Sequence, residues 1–473
     1  MRLFGVCFLL AVLAATLGAQ SIRPQPFGRF IPGTAAQDIA ATPKGGWTYI
    51  VGSTTDPNYP VTPDAFDRTC GTDGDCNVFQ GRFGPLRLAD VVLTVFDAAG
   101  EIQYSTFLGG SGQDDNPRLA LAPDGTLWLA GNKASVGFEK GPAGCNGSLW
   151  VARFEYTLQR IDQFLCFGDA TVADIALDSD GTLWVLGTAG SPVLTVNAFQ
   201  PTLAGQLDMF LAHISPSASA PLMATLIGGD RLDLATKLAI TPAGDIAIVG
   251  STDSTNFPLV RPLRPAPPGR FNDAVILVMD RSGRFLEFST LWGGVFNDTA
   301  QGVAVAASGN LFVTGQTASA DMPTTAGAFD TQCDNDGACR GWDAFVVKVN
   351  NVGELVASTF YGGSGLESGR EIIVRPNGQV IAMGFTQSAD FPLVGAQLFQ
   401  RWKPAVNFEH TWVATFDDRL ERVTRSVFVG SEDVLPSGRE LVDRNGLVYV
   451  AGQVTPNHGA PAFGNYLTAQ PIP

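Results

Sequence analysis

Short apolar runs alternate with turn residues along the chain, and after the first segment no apolar run reaches helical length. The clearest unit is a turn followed by a brief run ending in glycine. It reads GWTYIVG (ending at Gly52), GTLWLAG (Gly131), GTLWVLG (Gly187), GDIAIVG (Gly250), GNLFVTG (Gly315), GQVIAMG (Gly384) and GLVYVAG (Gly452). Each copy follows another apolar run, such as LALAPD before Gly125 or IALDSD before Gly181. Two β-rich runs joined by a Pro/Asp/Asn-Gly turn predict a hairpin. A second hairpin follows in each unit, most plainly DAVILVMDRSGRFLEFSTLWGG (273–294) and DAFVVKVNNVGELVASTFYGG (343–363). Its last strand is a recurring motif: YSTFLGG (104–110), MATLIGG (223–229), FSTLWGG (288–294), ASTFYGG (357–363) and, more loosely, RSVFVGS (425–431). We read the motif as the outer strand of a four-stranded unit, its glycine pair freeing the backbone to swing into the next unit.

A lone four-stranded sheet cannot cover both of its faces, so such units must stack. The expected fold is therefore all-β: a seven-bladed β-propeller of four-stranded blades. The seventh copy has room for three strands only, and FGRFIPG (27–33) resembles the missing outer one. An N-terminal strand joining the C-terminal blade would close the ring and remove the open edges. The expected boundaries are a signal peptide at 1–19, a linker at 20–26, the propeller at 27–467 and a C-terminal tail at 468–473.

These residues resemble the bacterial SBBP β-propeller repeat of exported proteins. The fullest copy is GNLFVTGQTASADMPTTAGAF (309–329), continuing into WDAFVVKVN and STFYGGSG. STTDPNYP (53–60), STDSTNFP (251–258) and FTQSADFP (385–392) keep parts of it. Copies three and seven depart most, with CFGDA and FVGSED in place of the glycine pair. The resemblance spans nearly the whole chain after the leader and implies a fold, with no activity attached to it.

Composition agrees with a turn-rich folded protein: 54 of 473 residues are Gly and 30 are Pro, and 16% are charged. The net charge of -15 disfavours nucleic acid and anionic lipid, which need Lys and Arg. MRLFGVCFLLAVLAATLGAQ has the basic start, apolar stretch and small residues of a secretory leader, and no later stretch is long enough to span a bilayer. We expect a secreted, periplasmic or cell-surface monomer. Six cysteines follow the leader. Cys70 and Cys333 lie equally far beyond Gly52 and Gly315, so Cys70–Cys76 and Cys333–Cys339 should each close a small loop, and Cys145–Cys166 should flank a hairpin. Zinc fits poorly, because the spacing is not CxxC and no His accompanies the cysteines. The DNDG at Asp334 lacks regular calcium-ligand spacing. No metal site and no cofactor is read.

Two sets of charged residues stand out. Asp114, Asp233, Asp298 and Glu367 follow the glycine pairs, in loops expected at one channel mouth beside the long loops that join second and third strands. They are candidate ligand-binding residues for a cation or a polar ligand, with turn capping as the plainer role. Asp38, Arg118, Asp174, Lys237, Glu371 and Arg439 occupy equivalent places in the first hairpins, with Gly302 breaking their alternating signs; they should form a structural ring of inter-blade ion pairs. Aromatics in the second strands (Tyr49, Trp128, Trp184, Phe312, Tyr449) should pack between blades. His213, His410 and His458 fall in different contexts, and no GxSxG, HExxH or P-loop pattern occurs, so no catalytic residue is assigned. The expected function is a binding or interaction module for an extracellular protein or polysaccharide, acting through the loop-rich face. An extracellular hydrolase or lyase built on channel-mouth carboxylates is the alternative, and a structural subunit of a surface assembly is another.

Overall fold

A computed structural model describes residues 27–471 apart from 33, 43–45, 82–83, 136–146, 218, 265–270, 335–336, 396–408, 430–433, 445–446 and 457–463. The expected leader and linker, Cys145 and His458 lie outside the described residues, as does the side chain of Arg439. The described residues contain no helix. They form a β-propeller of four-stranded blades, each an antiparallel meander running from the axis outward.

Six blades follow one another along the chain. Their innermost strands are Thr34–Ala41, Asp114–Leu121, Ala170–Leu177, Asp233–Ile240, Asp298–Val305 and Glu367–Val374. Their outermost strands are Ile102–Leu108, Ile161–Cys166, Met223–Ile227, Leu286–Trp292, Leu355–Tyr361 and Val423–Val429, where the recurring STFLGG motif was expected. A further four-stranded sheet is built from both ends of the chain: Val434–Arg444, Leu447–Pro456 and Gly464–Pro471, with Phe27–Pro32 along its outer edge. Phe27 pairs with Ala469 and Phe30 with Tyr466, so the last strand runs beyond the boundary expected at 467.

The cores lie between blades. Third strands such as Asp273–Met279 and Asp343–Val349 are buried at every residue, because both faces of the sheet meet a neighbour. One cluster joins Phe210 and Ala212 to Leu149 and Val151; another joins Phe345 and Val347 to Val249 and Ile276. Of the second-strand aromatics, Trp128, Trp184, Phe312 and Tyr449 are fully buried and Tyr49 is half-buried. The end-built sheet packs on both sides, with Val448 and Val450 against Ile381 and Met383, and Tyr449 and Ala451 against Ile50 and Phe107.

One irregularity recurs and accounts for the recurring glycine in four of the second strands, whereas Gly131 lies against the ring of Trp150. The innermost strand carries a β-bulge in every four-stranded sheet, at Ala36/Asp38, Asp115/Arg118, Val172/Asp174, Ala235/Lys237, Ala300/Gly302, Gly369/Glu371 and Gly438/Glu440. The bulge turns a carbonyl toward the second strand. A side chain at Gly187, Gly250, Gly315 or Gly384 would collide with the carbonyl oxygen of Thr171, Leu234, Thr299 or Ser368.

Removing residues 21–33 strips the outer strand from the end-built sheet. The truncated protein should unfold at a temperature several degrees lower and self-associate through the bared edge, as read by calorimetry and light scattering. An unchanged monomer of equal stability would refute the clasp.

Candidate functional site

Asp114, Asp233, Asp298 and Glu367 each open an innermost strand, and all four are fully buried. Each accepts the backbone N–H of the second residue of the preceding glycine pair: Gly110 at 2.9 Å, Gly229 at 2.6 Å, Gly294 at 2.8 Å and Gly363 at 2.8 Å. A serine just past the second strand completes each cage. Ser135, Ser254, Ser319 and Ser388 donate their hydroxyls to the acids and accept the N–H of Gly112, Arg231, Phe296 and Gly365. The acids thus sit in separate blades, each closed over by its own turn, and the structure brings no two of them together.

A second set of acids, which the sequence reading passed over, faces them. Asp90, Asp208, Asp273 and Asp343 open the third strands and are buried as well. A side chain on Gly228 would strike the carboxyls of both Asp208 and Asp233, and one on Gly362 those of both Asp343 and Glu367. This corrects the reason for the glycine pair. Only Gly293, at φ 138°, uses the left-handed freedom of glycine; the first glycine of the pair is crowded by the carboxyls and the second by the caging serine and its loop, as Gly294 is by Ser319 and Asp321 and Gly363 by Ser388 and Asp390. The available signal was the Asp that begins DVV, DMF, DAV and DAF after each long loop.

Burial raises the carboxyl pKa values, since an apolar surround penalises the ionised form. Asp114 is pushed up to about 6 against hydrogen bonds from Ser135 and Gly110 and the charge of Lys133. Asp298 also reaches about 6, by burial. Burial and then the neighbouring Asp298 take Asp273 to about 7, with Arg264 opposing. Asp343 rises to about 9 through burial, then Glu367 and Asp334. Burial raises Asp233 and Glu367 too.

Around the axis, the charged residues of the first hairpins mostly reach forward to the next blade. Asp38 accepts the N–H of Leu119 at 2.8 Å, and Asp174 that of Leu238 at 3.0 Å. Arg118 donates to the carbonyl of Ala173 at 2.7 Å and to that of Pro117, carbonyls where a carboxylate was expected. Lys237 stands 3.8 Å from Asp174 and 2.8 Å from Glu371. The latter contact crosses the blade of Gly302, where a Cβ would press on the backbone of Arg370 and Glu371.

The bulges themselves line the channel. Gln37, Asn116, Ala173, Thr236, Gln301 and Arg370 border a cavity of about 290 Å³, together with Arg118, Lys237 and Glu371. A second cavity of about 450 Å³ shares Thr171, Thr188, Ala235 and Thr236 with it and extends along Ser148, Asp169 and Leu207. It opens where the repeat breaks down. At this junction Ser148 and Ala170 stand where other blades place their two acids, and Phe167, beside the missing glycine pair, is buried in the inter-blade core. None of the caged or paired acids borders either cavity.

The cysteine pairs Cys70–Cys76 and Cys333–Cys339 are bonded, with Cα atoms 4.6 and 5.0 Å apart. Cys166 is disulfide-bonded, and its expected partner Cys145 lies outside the described residues. His213 stacks on Trp184 at 4.0 Å and bonds Thr182. His410 takes the third-strand acid position, and burial lowers its pKa to about 4. No helix among the described residues is long and apolar enough to cross a membrane.

No family model matches the chain, and neither does any curated protein sequence. Among solved structures, Kuenenia stuttgartiensis hydrazine synthase is similar at 11% identity and a TM-score of 0.47, covering 91% of this chain and 96% of that one. A Dyadobacter fermentans protein of unknown function is similar at 12% identity and a TM-score of 0.40, over 74% of this chain and 93% of its own. Both likenesses concern the fold alone.

A carboxyl whose folded pKa lies above its unfolded value stabilises the fold fully below the unfolded value and loses that contribution as pH rises through the folded one. With Asp114, Asp273 and Asp298 raised to between about 6 and about 7, the unfolding temperature should fall as pH rises from 5 to 8. Asp273→Asn should raise it at pH 8 by a few degrees, change it little at pH 5 and flatten the profile. Scanning calorimetry across that range checks both, and a melting temperature that climbs with pH would refute the reading.

Proposed function

We propose that the chain is an exported seven-bladed propeller of the SBBP-repeat kind, serving as a binding module for an extracellular polysaccharide or protein. The end-built sheet is its seventh blade; packing against both the first and the sixth blades supports that count. Bonded cysteines suit an oxidising compartment. The ligand enters at the loop-bearing mouth of the channel. One observation carries this reading: a cavity opens at the junction where the repeat gives up its paired acids, and it shares Thr171, Thr188 and Thr236 with the axial cavity, whose walls add the amides of Gln37, Asn116 and Gln301 and the guanidinium groups of Arg118 and Arg370, donors and acceptors suited to hydroxyl-rich ligands. The caged acids hold turns. Catalysis by channel-mouth carboxylates is disfavoured, because Glu371 is engaged by Lys237 and Asp169 is the other acid at the cavity walls.

Defined neutral, acidic and amino-bearing polysaccharides and the secreted proteins of the source organism should be tested for binding by calorimetry and surface capture. Gln301→Ala and Asp169→Ala should weaken binding roughly five- to tenfold, a loss matching one hydrogen bond of about 1 kcal/mol, while leaving the melting temperature unchanged. Asp298→Ala should lower stability by roughly 1–3 kcal/mol, because it strands buried donors, and should leave affinity intact. The opposite pattern would return the site to the acids.

A further inference from the structure

The acid pairs are not equivalent from junction to junction, and the differences single one out. Lys133 acts on the Asp90–Asp114 pair. Between the third and fourth blades, Asp208 is held by the amide of Gln200 at 2.6 Å and by the N–H groups of Ala204 and Gly205. Arg264 acts on the Asp273–Asp298 pair. His410 replaces the acid in the sixth blade. At the junction of the fifth and sixth blades a third carboxylate, Asp334, comes in beside Asp343 and Glu367.

Asp334 is delivered by the loop that the Cys333–Cys339 bridge closes, and its N–H donates to one oxygen of Asp343 at 3.0 Å. Its own Oδ2 accepts the N–H of Arg340. The remaining oxygens, Oδ1 of Asp334 and Oδ1 of Asp343, are buried and have no hydrogen-bond partner. Both side chains are more than nine-tenths buried, and one oxygen from each can lie within 4.8 Å of the other. Cys333 is near enough to join them, but its sulfur is committed to the disulfide. Each carboxyl thus keeps one buried oxygen that no donor satisfies, and a cation seated beside the two would satisfy both.

We propose that Asp334 and Asp343 bind one divalent cation of the hard, oxygen-preferring class, calcium first, and that it pins the disulfide loop to the junction of the fifth and sixth blades. Oxygen-only ligands exclude the soft metals, and two carboxylates completed by water or carbonyls suit calcium better than a dedicated magnesium cage. The site goes beyond the ligand-binding mouth, since neither acid borders the channel cavity. The spacing of DNDG hid it, because the second ligand opens the next strand.

The test is equilibrium dialysis of the metal-stripped, oxidised full chain against calcium, with terbium luminescence as an independent readout. Trp342, adjoining Asp343 in sequence, serves as the sensitiser. One calcium per chain should bind with a Kd of about 10⁻⁴–10⁻³ M, the range of extracellular modules. It should displace terbium and raise the melting temperature. D334N and D343N should each weaken binding at least tenfold, whereas D273N should not. Absence of saturable calcium and terbium binding in the wild-type chain would overturn the site, as would binding that both variants retain.

Discussion

A bulge in the innermost strand of each sheet sets the geometry around the axis. The extra residue points into the channel, as Gln37, Thr236, Gln301 and Arg370 do, and the residue after it meets the next blade. At Gly187, Gly250, Gly315 and Gly384 the displaced carbonyl forbids a side chain on the facing strand, so the second strand must carry glycine there. One local distortion thereby dictates the most regular letter of the repeat, the polar lining of the channel and the forward contacts of Asp38, Arg118 and Asp174. A substitution at Gly250 or Gly315 would have to undo the bulge before it could be housed.

The blades impose a second demand. Strands apolar on both faces give large inter-blade cores, yet each blade must also turn into the next at the loop-bearing end, where buried backbone N–H groups need acceptors. The caged acids supply them, with serine hydroxyls bridging to the neighbouring loop. Pairing each with a third-strand acid concentrates negative charge in a dry place, and the neighbours show how that charge is managed: Lys133 at one junction, Arg264 at another, a histidine substituted at a third. Raised pKa values in this protein thus mark construction, and their place outside the walls of both channel cavities separates them from the perturbed groups of an active site.

Much of the architecture was legible in the sequence because its signals are local. Hairpin turns, the STFLGG strand and the glycine at each second-strand end are read from consecutive residues, and the end-built sheet was foreshadowed by FGRFIPG standing in for a missing strand. The equivalence of Cys70 and Cys333 gave two disulfides. The site was less legible, for a physical reason. Counting positions from the turn glycine found Asp38, Asp174 and Lys237 but not the bulge residues beside them, and in the end-built sheet it fell on the bulge residue Arg439 where Glu440 holds the place equivalent to Asp38, because a bulge shifts register without changing the pattern. Nor does sequence show that Asp273 lies against Asp298 or Asp343 against Glu367, since these partners meet across a blade junction.

In a repeat protein the copies that obey the pattern describe the scaffold, and those that break it describe what the scaffold is used for. Where Ser148, Phe167 and Ala170 replace the acids and glycine pair, the junction loses its charge and gains an apolar plug, and the wider cavity opens beside it. Gly302 breaks the axial ring in a different way, with Lys237 spanning to Glu371 in an ion pair across the blade between them. The two departures act on adjoining cavities: the first borders the wider one, and the second pairs two charges in the wall of the other. The axial wall keeps the amides of Gln37, Asn116 and Gln301 and the guanidinium groups of Arg118 and Arg370 as its remaining polar groups.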